Sequence, residues 1–163
     1  MKTGRNILAI MLLAMLAACS SMECPLNSMV RLNYGVYNAS QQRDTLIDTT
    51  TISTPRKTGI DSVLVNRLYK DSTFTVPVSY TNERDTFFFD FKSNENVARR
   101  DTVVVSKTDR MHFESIECAA TYFHTISGVS TTTHAIDSVV IYNKEVDYDS
   151  SKEHFRIYLH PRD

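Results

Sequence analysis

The chain predicts an all-β fold, a single antiparallel β-sandwich, and three observations carry that reading. Serine and threonine supply 34 of its 163 residues, and Thr, Val, Ile, Tyr and Phe favour pleated, half-buried surfaces over helices. Short β-branched or aromatic runs recur along the chain, most of them begun by Asp followed by Ser or Thr. Polar turn clusters separate these runs, and no apolar spacing of three to four residues is sustained beyond the first eighteen positions.

The first nineteen residues stand apart. Lys2 and Arg5 precede an uninterrupted apolar or small run from Ile7 to Ala18, and Cys19 follows Leu16-Ala17-Ala18. Such a run is too short for a helix crossing a bilayer core of ~30 Å, so it reads as an export signal. A cysteine at the cleavage point resembles the lipobox of bacterial lipoproteins, whose thiol is lipidated and becomes the first mature residue. That likeness implies a signal peptide over 1–18, a lipidated Cys19 with a short tether over 19–26, and a single β domain over 27–163. The domain length suits one sizeable core.

Within the domain, Met29 to Tyr37 alternates only partly, and Gly35 suggests a bulge. The Asp-Ser/Thr signal then begins strands at Asp44, Asp61, Asp71, Asp85, Asp101 and Asp137. Asp hydrogen-bonds its own backbone two residues on and so finishes a turn, after which β-branched residues favour extension. Further strands are expected around His112 to Ile116, Tyr122 to Ile126 and Phe155 to Leu159. Turns are expected at 55–59, 81–84, 93–96 and 147–151, and Pro77 places its strand at an edge or a bulge. An immunoglobulin-like arrangement is one form of this sandwich, and a closed lipocalin-like β-barrel is the alternative. A barrel would offer a cavity, a sandwich its loops and faces.

Without residues 1–18, 16 Lys and Arg face 19 Asp and Glu in no basic run, so nucleic acid is not an expected partner. Once Cys19 carries lipid, Cys24 and Cys118 remain. An even pair in an oxidising compartment predicts a disulfide closing a loop of most of the domain, for which chain entropy gives roughly 4–5 kcal/mol.

Few residues suggest chemistry. His112, Glu114 and His124 would form a metal site if two neighbouring strands brought them face to face, although their spacing matches no established ligand pattern. Asp147, Asp149, Ser151 and Glu153 alternate like calcium ligands, but Lys152 stands where such a loop needs glycine, so a solvated turn is expected. No Gly-x-Ser-x-Gly elbow occurs, and four glycines leave no phosphate-cradling loop. The chain is therefore expected not to be an enzyme and to need no cofactor, with a metal-binding or enzymatic domain around His112, Glu114 and His124 as the alternative.

Several segments carry a resemblance: Glu23 to Asn27, Leu32 to Gly35, Asp61 to Arg67, Val76 to Tyr80, Phe113 to Cys118, Phe123 to Ile126 and His134 to Val139. Together they resemble an uncharacterised lipoprotein family of the Bacteroidota cell envelope. The resemblance implies a lipid-anchored envelope protein of unassigned role and brings no catalytic residues. The expectation is a non-enzymatic structural, accessory or binding module, held to the membrane, the outer membrane by preference, through Cys19 and meeting an envelope protein or glycan. Exported Bacteroidota proteins are also O-glycosylated at Asp-Ser/Thr followed by a small aliphatic residue or Thr. Thr45, Thr49, Ser62, Ser72, Thr102 and Ser138 fit that pattern, and a bulky glycan requires exposed hydroxyls at strand ends.

Overall fold

The computed structural model describes residue 24 and residues 29–80, 82–95 and 97–161. The signal sequence, the Cys19 lipidation site and, apart from Cys24, the tether lie outside the described residues. Ten strands form among those described, with no helix. In chain order they are β1 (Arg31–Tyr37), β2 (Thr49–Thr54), β3 (Ser62–Leu68), β4 (Thr73–Pro77) and β5 (Arg84–Lys92). Then follow β6 (Ala98–His112), β7 (Thr121–Thr131), β8 (Ile136–Ile141), β9 (Glu145–Val146) and β10 (Phe155–Leu159).

The strands build a sandwich rather than a closed barrel. One sheet has the order β4-β1-β10-β8 and the other β3-β2-β5-β6-β7-β9. Every pairing is antiparallel except β1 with β10, which run parallel with Tyr34 opposite Phe155. β1 and β2 lie in different sheets, unlike the first two strands of an immunoglobulin domain. β4 is an edge strand, which is why Pro77 is tolerated at its end.

Alternation sets the core. Along β5, Asp85, Phe87, Phe89 and Phe91 point inward, and along β6 Asp101, Val103, Val105 and Lys107 do the same. Tyr34 stacks on Phe74 and Phe155 of its own sheet at 5.1 and 4.9 Å, and meets Phe89 of the facing sheet edge-on at 6.0 Å. These ring contacts join the two layers where each side chain buries most area.

Three expectations change. Residues 44–47 form no strand, because their backbone bonds to separate segments: Asp44 N–H to Val36, Leu46 N–H to Asp71, and Leu46 C=O from Lys70. The strand begins at Thr49 instead. β6 continues unbroken to His112, so the strand expected over His112 to Ile116 is absent and a loop follows. Gly35 sits in unbroken register and marks no bulge. The ends of the Arg43 and Glu153 side chains lie where its Cβ would be, so a larger residue there would displace that ion pair.

The aspartates of the strand-start signal also act at longer range than expected. Asp85 accepts from Ser79 N–H at 3.0 Å. Asp101, fully buried, accepts from the Thr132 hydroxyl (2.7 Å), from the N–H groups of His134 (2.8 Å), Ala135 (2.7 Å) and Ile136 (2.9 Å), and faces His134 Nδ1 at 3.0 Å. The segment it grips carries the chain from β7 in one sheet to β8 in the other. Burial raises the Asp101 pKa, but the backbone and hydroxyl donations outweigh it and hold the carboxyl below the usual range.

Asp101→Ala leaves those buried N–H groups without an acceptor and is expected to lower unfolding free energy by about 3 kcal/mol or more, read by urea denaturation at neutral pH. Because the folded pKa is depressed, the wild-type contribution is present above the unfolded carboxylate value and fades as pH falls through the folded one. A variant as stable as wild type would show that the crossing segment does not depend on this carboxylate.

Candidate functional site

The disulfide, a group of aromatic side chains and the candidate metal ligands lie towards the far end of the β6–β7 hairpin. Cys24 is bridged to Cys118 across 94 residues, with Cα atoms 5.5 Å apart. The expected pairing is therefore present, and it ties the start of the domain to the loop after β6. A loop of that length is worth about 4–5 kcal/mol in the chain-entropy account. The loop closes on a short turn, with Glu117 N–H donating to Ser115 Oγ at 3.1 Å and Cys118 N–H to Ser115 C=O at 3.3 Å.

The hairpin carries aromatic groups on both faces here. On one face the His112 ring stacks on Phe123 at 4.2 Å, Tyr148 meets Phe123 edge-on at 5.0 Å, and the Arg110 guanidinium lies 5.6 Å from the Phe123 ring. On the other, Met111 pairs with Tyr122, and Tyr80 stacks on Tyr122 at 5.7 Å. Beyond both faces the loop turns apolar side chains outward: Phe113 is 58% exposed and Ile116 wholly exposed.

Of the candidate metal ligands, His112 and Glu114 meet and His124 is held apart. His112 Nε2 lies 3.0 Å from Glu114 Oε1 at the accessible end. His124 sits opposite Asp109 in the register, with Nδ1 2.7 Å from Asp109 Oδ1 and no exposed side-chain surface. Successive strand residues face opposite sides, so Phe123, which carries His112, and His124 point apart. No group of three His, Cys, Asp or Glu side chains converges among the described residues. The acidic turn is likewise filled from within: Lys152 Nζ sits 2.6 Å from Asp147, Asp147 and Asp149 cap N–H groups two residues on, and Glu153 faces Arg43, Arg156 and the Tyr37 hydroxyl.

His124 belongs to a buried polar cluster that sequence reading missed. Lys107 is fully buried and donates from Nζ to Asn82 C=O at 2.7 Å and to Asp109 at 2.6 Å. Its signal was its phase: it follows Val103 and Val105 at a two-residue interval, on the inward side of β6. Asp109 thus receives both Lys107 and His124, which satisfies two buried donors with one carboxylate.

The six candidate hydroxyls are all half-buried. Thr49 and Ser62 open β2 and β3, Ser72 precedes β4, Ser138 lies in the edge strand β8, and Thr45 lies in the irregular segment after β1. Thr102 lies within β6, between β5 and β7, beside the buried Asp101. Ser62 Oγ accepts from Arg56 at 2.9 Å, and Ser138 Oγ donates to Asp137 at 3.1 Å.

A groove of about 520 Å³ opens where β3 approaches β4 and β1. Leu64, Leu68 and Phe74 line it together with Arg31, Arg43 and Lys152, and Asp71 and Glu153 add opposite charge. Burial raises the Glu153 pKa, but hydrogen bonds from Arg156, Tyr37 and Arg43 outweigh it and keep the carboxyl low.

Over residues 49–159 the chain matches a family of unknown function (DUF6452), and it belongs to that family. The match runs from β2 through β10 and includes Cys118. No curated protein and no solved structure matches the chain.

Two buried histidines set an acid response. Burial lowers the pKa of His124 and of His154, outweighing the hydrogen bonds that raise them. His154 Nδ1 accepts from Asn33 N–H at 2.9 Å and its Nε2 faces Glu145 C=O at 3.2 Å, an arrangement that suits the neutral ring. The unfolded chain takes up these protons near pH 6.5, before the folded chain does. Stability is therefore expected to fall as pH drops below about 6.5 towards the folded values, with unfolding taking up as many as one proton per histidine. Urea midpoints at pH 7.5 and 5.5 check this. A midpoint unchanged or higher at pH 5.5 would contradict it.

Proposed function

We propose that this member of the DUF6452 family is a lipid-anchored component of a bacterial cell envelope, whose β domain binds a neighbouring protein or glycan beside the membrane and performs no reaction of its own. The observation that carries the reading is the Cys24–Cys118 bridge, five residues beyond the cysteine that ends the apolar leader. A disulfide closing most of a domain belongs to an oxidising compartment, and the leader supplies the route to one. One acyl chain binds a membrane reversibly, so stable residence requires Cys19 to carry more than one.

The resemblance to Bacteroidota lipoproteins favours the outer membrane of that envelope. The groove beside β1 and β4 offers a partner an apolar floor with charges of both signs. A peptide or a glycan is the kind of ligand that such a mixed, shallow surface suits. Glycans on the Asp-Ser/Thr triplets fit the same setting, with Thr45, Thr49, Ser62, Ser72 and Ser138 better placed than Thr102 in its central strand.

The test is a Cys19→Ser variant expressed in the native organism. Wild type is expected in the membrane fraction, extracted by detergent and not by salt. The variant is expected to leave that fraction or to accumulate with its leader uncleaved. Equal membrane partition of both chains, each with the leader removed, would overturn the lipid-anchor reading.

A further inference from the structure

We infer that the tip of the β6–β7 hairpin is a second membrane contact, in which Phe113 and Ile116, flanked by Met111, seat in the lipid surface that holds the anchor. The inference rests on the lipid-anchor reading of Cys19 and adds to it a docked orientation.

Three observations meet at the tip. The first is exposure: Ile116 is 101% exposed, Phe113 58% and Met111 49%, all within six positions that span the end of β6 and the loop after it. Side chains of this kind favour an apolar phase over water by about tenfold or more in partition when fully buried.

The second is reach. Cys118, two residues from Ile116, is bonded to Cys24, and Cys24 is five residues from Cys19. Five residues span at most about 18 Å, so the covalent path keeps the tip close to the lipid headgroups in every orientation. A partner elsewhere in the envelope would have to reach it there, whereas the bilayer already lies within that distance.

The third is the rim behind the tip. Tyr80 and Tyr122 stack on one face of the hairpin, and Phe123, His112 and Tyr148 cluster on the other with Arg110 over the ring. Aromatic side chains with one polar end suit the headgroup level, and a guanidinium there meets lipid phosphate. The charges also limit depth. Glu114, paired with His112, and Glu117 flank Ile116 and remain hydrated, so the contact is interfacial and does not cross the hydrocarbon core.

The chain contains no tryptophan, so one introduced at the tip reports its surroundings without interference. Full-length lipidated Ile116→Trp protein is reconstituted into vesicles of phosphatidylethanolamine and phosphatidylglycerol and isolated by flotation. Val97→Trp serves as the comparison: Val97 is 56% exposed and precedes β6, at the end of that strand away from the tip, roughly 50 Å along it at strand rise. Both replaced side chains point to solvent, so the core is untouched.

The expected result is that both proteins float. The tryptophan at 116 then shifts to the blue, loses its accessibility to aqueous iodide and is quenched by brominated acyl chains, while that at 97 behaves as in water. Flotation with both residues equally open to iodide would overturn the tip contact, leave the anchor standing and assign the apolar tip to a protein neighbour. Failure of both proteins to float would remove the anchor, and the tip contact with it.

Discussion

The sandwich depends on how one buried carboxylate holds the chain where it passes between the sheets. Asp101 is the first inward residue of β6, and its oxygens are met by a hydroxyl and three successive backbone N–H groups from the segment after β7. Successive backbone N–H groups aimed at one carboxylate favour its charged form. This contact fixes where β8 begins, places Ala135 and Ile136 in the core, and sets the β8–β10–β1 side of the second sheet. The His160 N–H then bonds back to Ala135 C=O, so the end of the domain closes on the same segment.

The other end of the core is built differently. There the inward rows of β5 and β6 run from phenylalanine and valine into Asp85 and Lys107, and the neighbouring strand β7 supplies His124. Burying a charged Lys107–Asp109 pair beside a neutral imidazole contributes little net stability compared with an apolar core, yet removing one member would strand the others. Just beyond this cluster the hairpin leaves the sandwich, the disulfide clamps it, and apolar side chains turn outward. The polar cluster, the bridge and the exposed tip therefore lie in sequence along one pair of strands, at the end to which Cys24 is bonded.

Much of this was legible in the residues. β3, β5, β8 and β10 begin with or beside Asp-Ser/Thr or aromatic runs whose preference for extended backbone is local, and β10 keeps the bounds Phe155 to Leu159. The Cys24–Cys118 pairing followed once Cys19 was set aside for lipid, because an even pair in an oxidising compartment favours a bridge. What failed was decided by tertiary contacts. Residues 44–47 have a strand-like sequence, but their backbone bonds go to different neighbours. β2 reads Thr-Thr-Thr-Ile-Ser-Thr, where Thr50 and Ser53 are buried without an apolar alternation to announce them. The second half of β6 shows no apolar alternation, and its extension rests on Lys107 bonding Asp109 two residues along the strand and Asn82 C=O before β5. The parallel β1–β10 pair has no sequence mark, because strand direction leaves the pattern of side chains unchanged. The histidines failed as a cluster for a simpler reason: His124 belongs to the inward phase of its strand and His112 to the outward phase of the strand beside it.

The functional account joins an anchor outside the described residues to a bridge inside them, and both belong to one small region of the chain. It is tested most directly by the intact mass of the protein purified from its own envelope, measured before and after reduction. The account predicts a chain starting at Cys19, heavier by its acyl groups, that gains the two hydrogens of one disulfide when reduced. A mass that retains residues 1–18 without lipid, or that is unchanged by reduction, would contradict it.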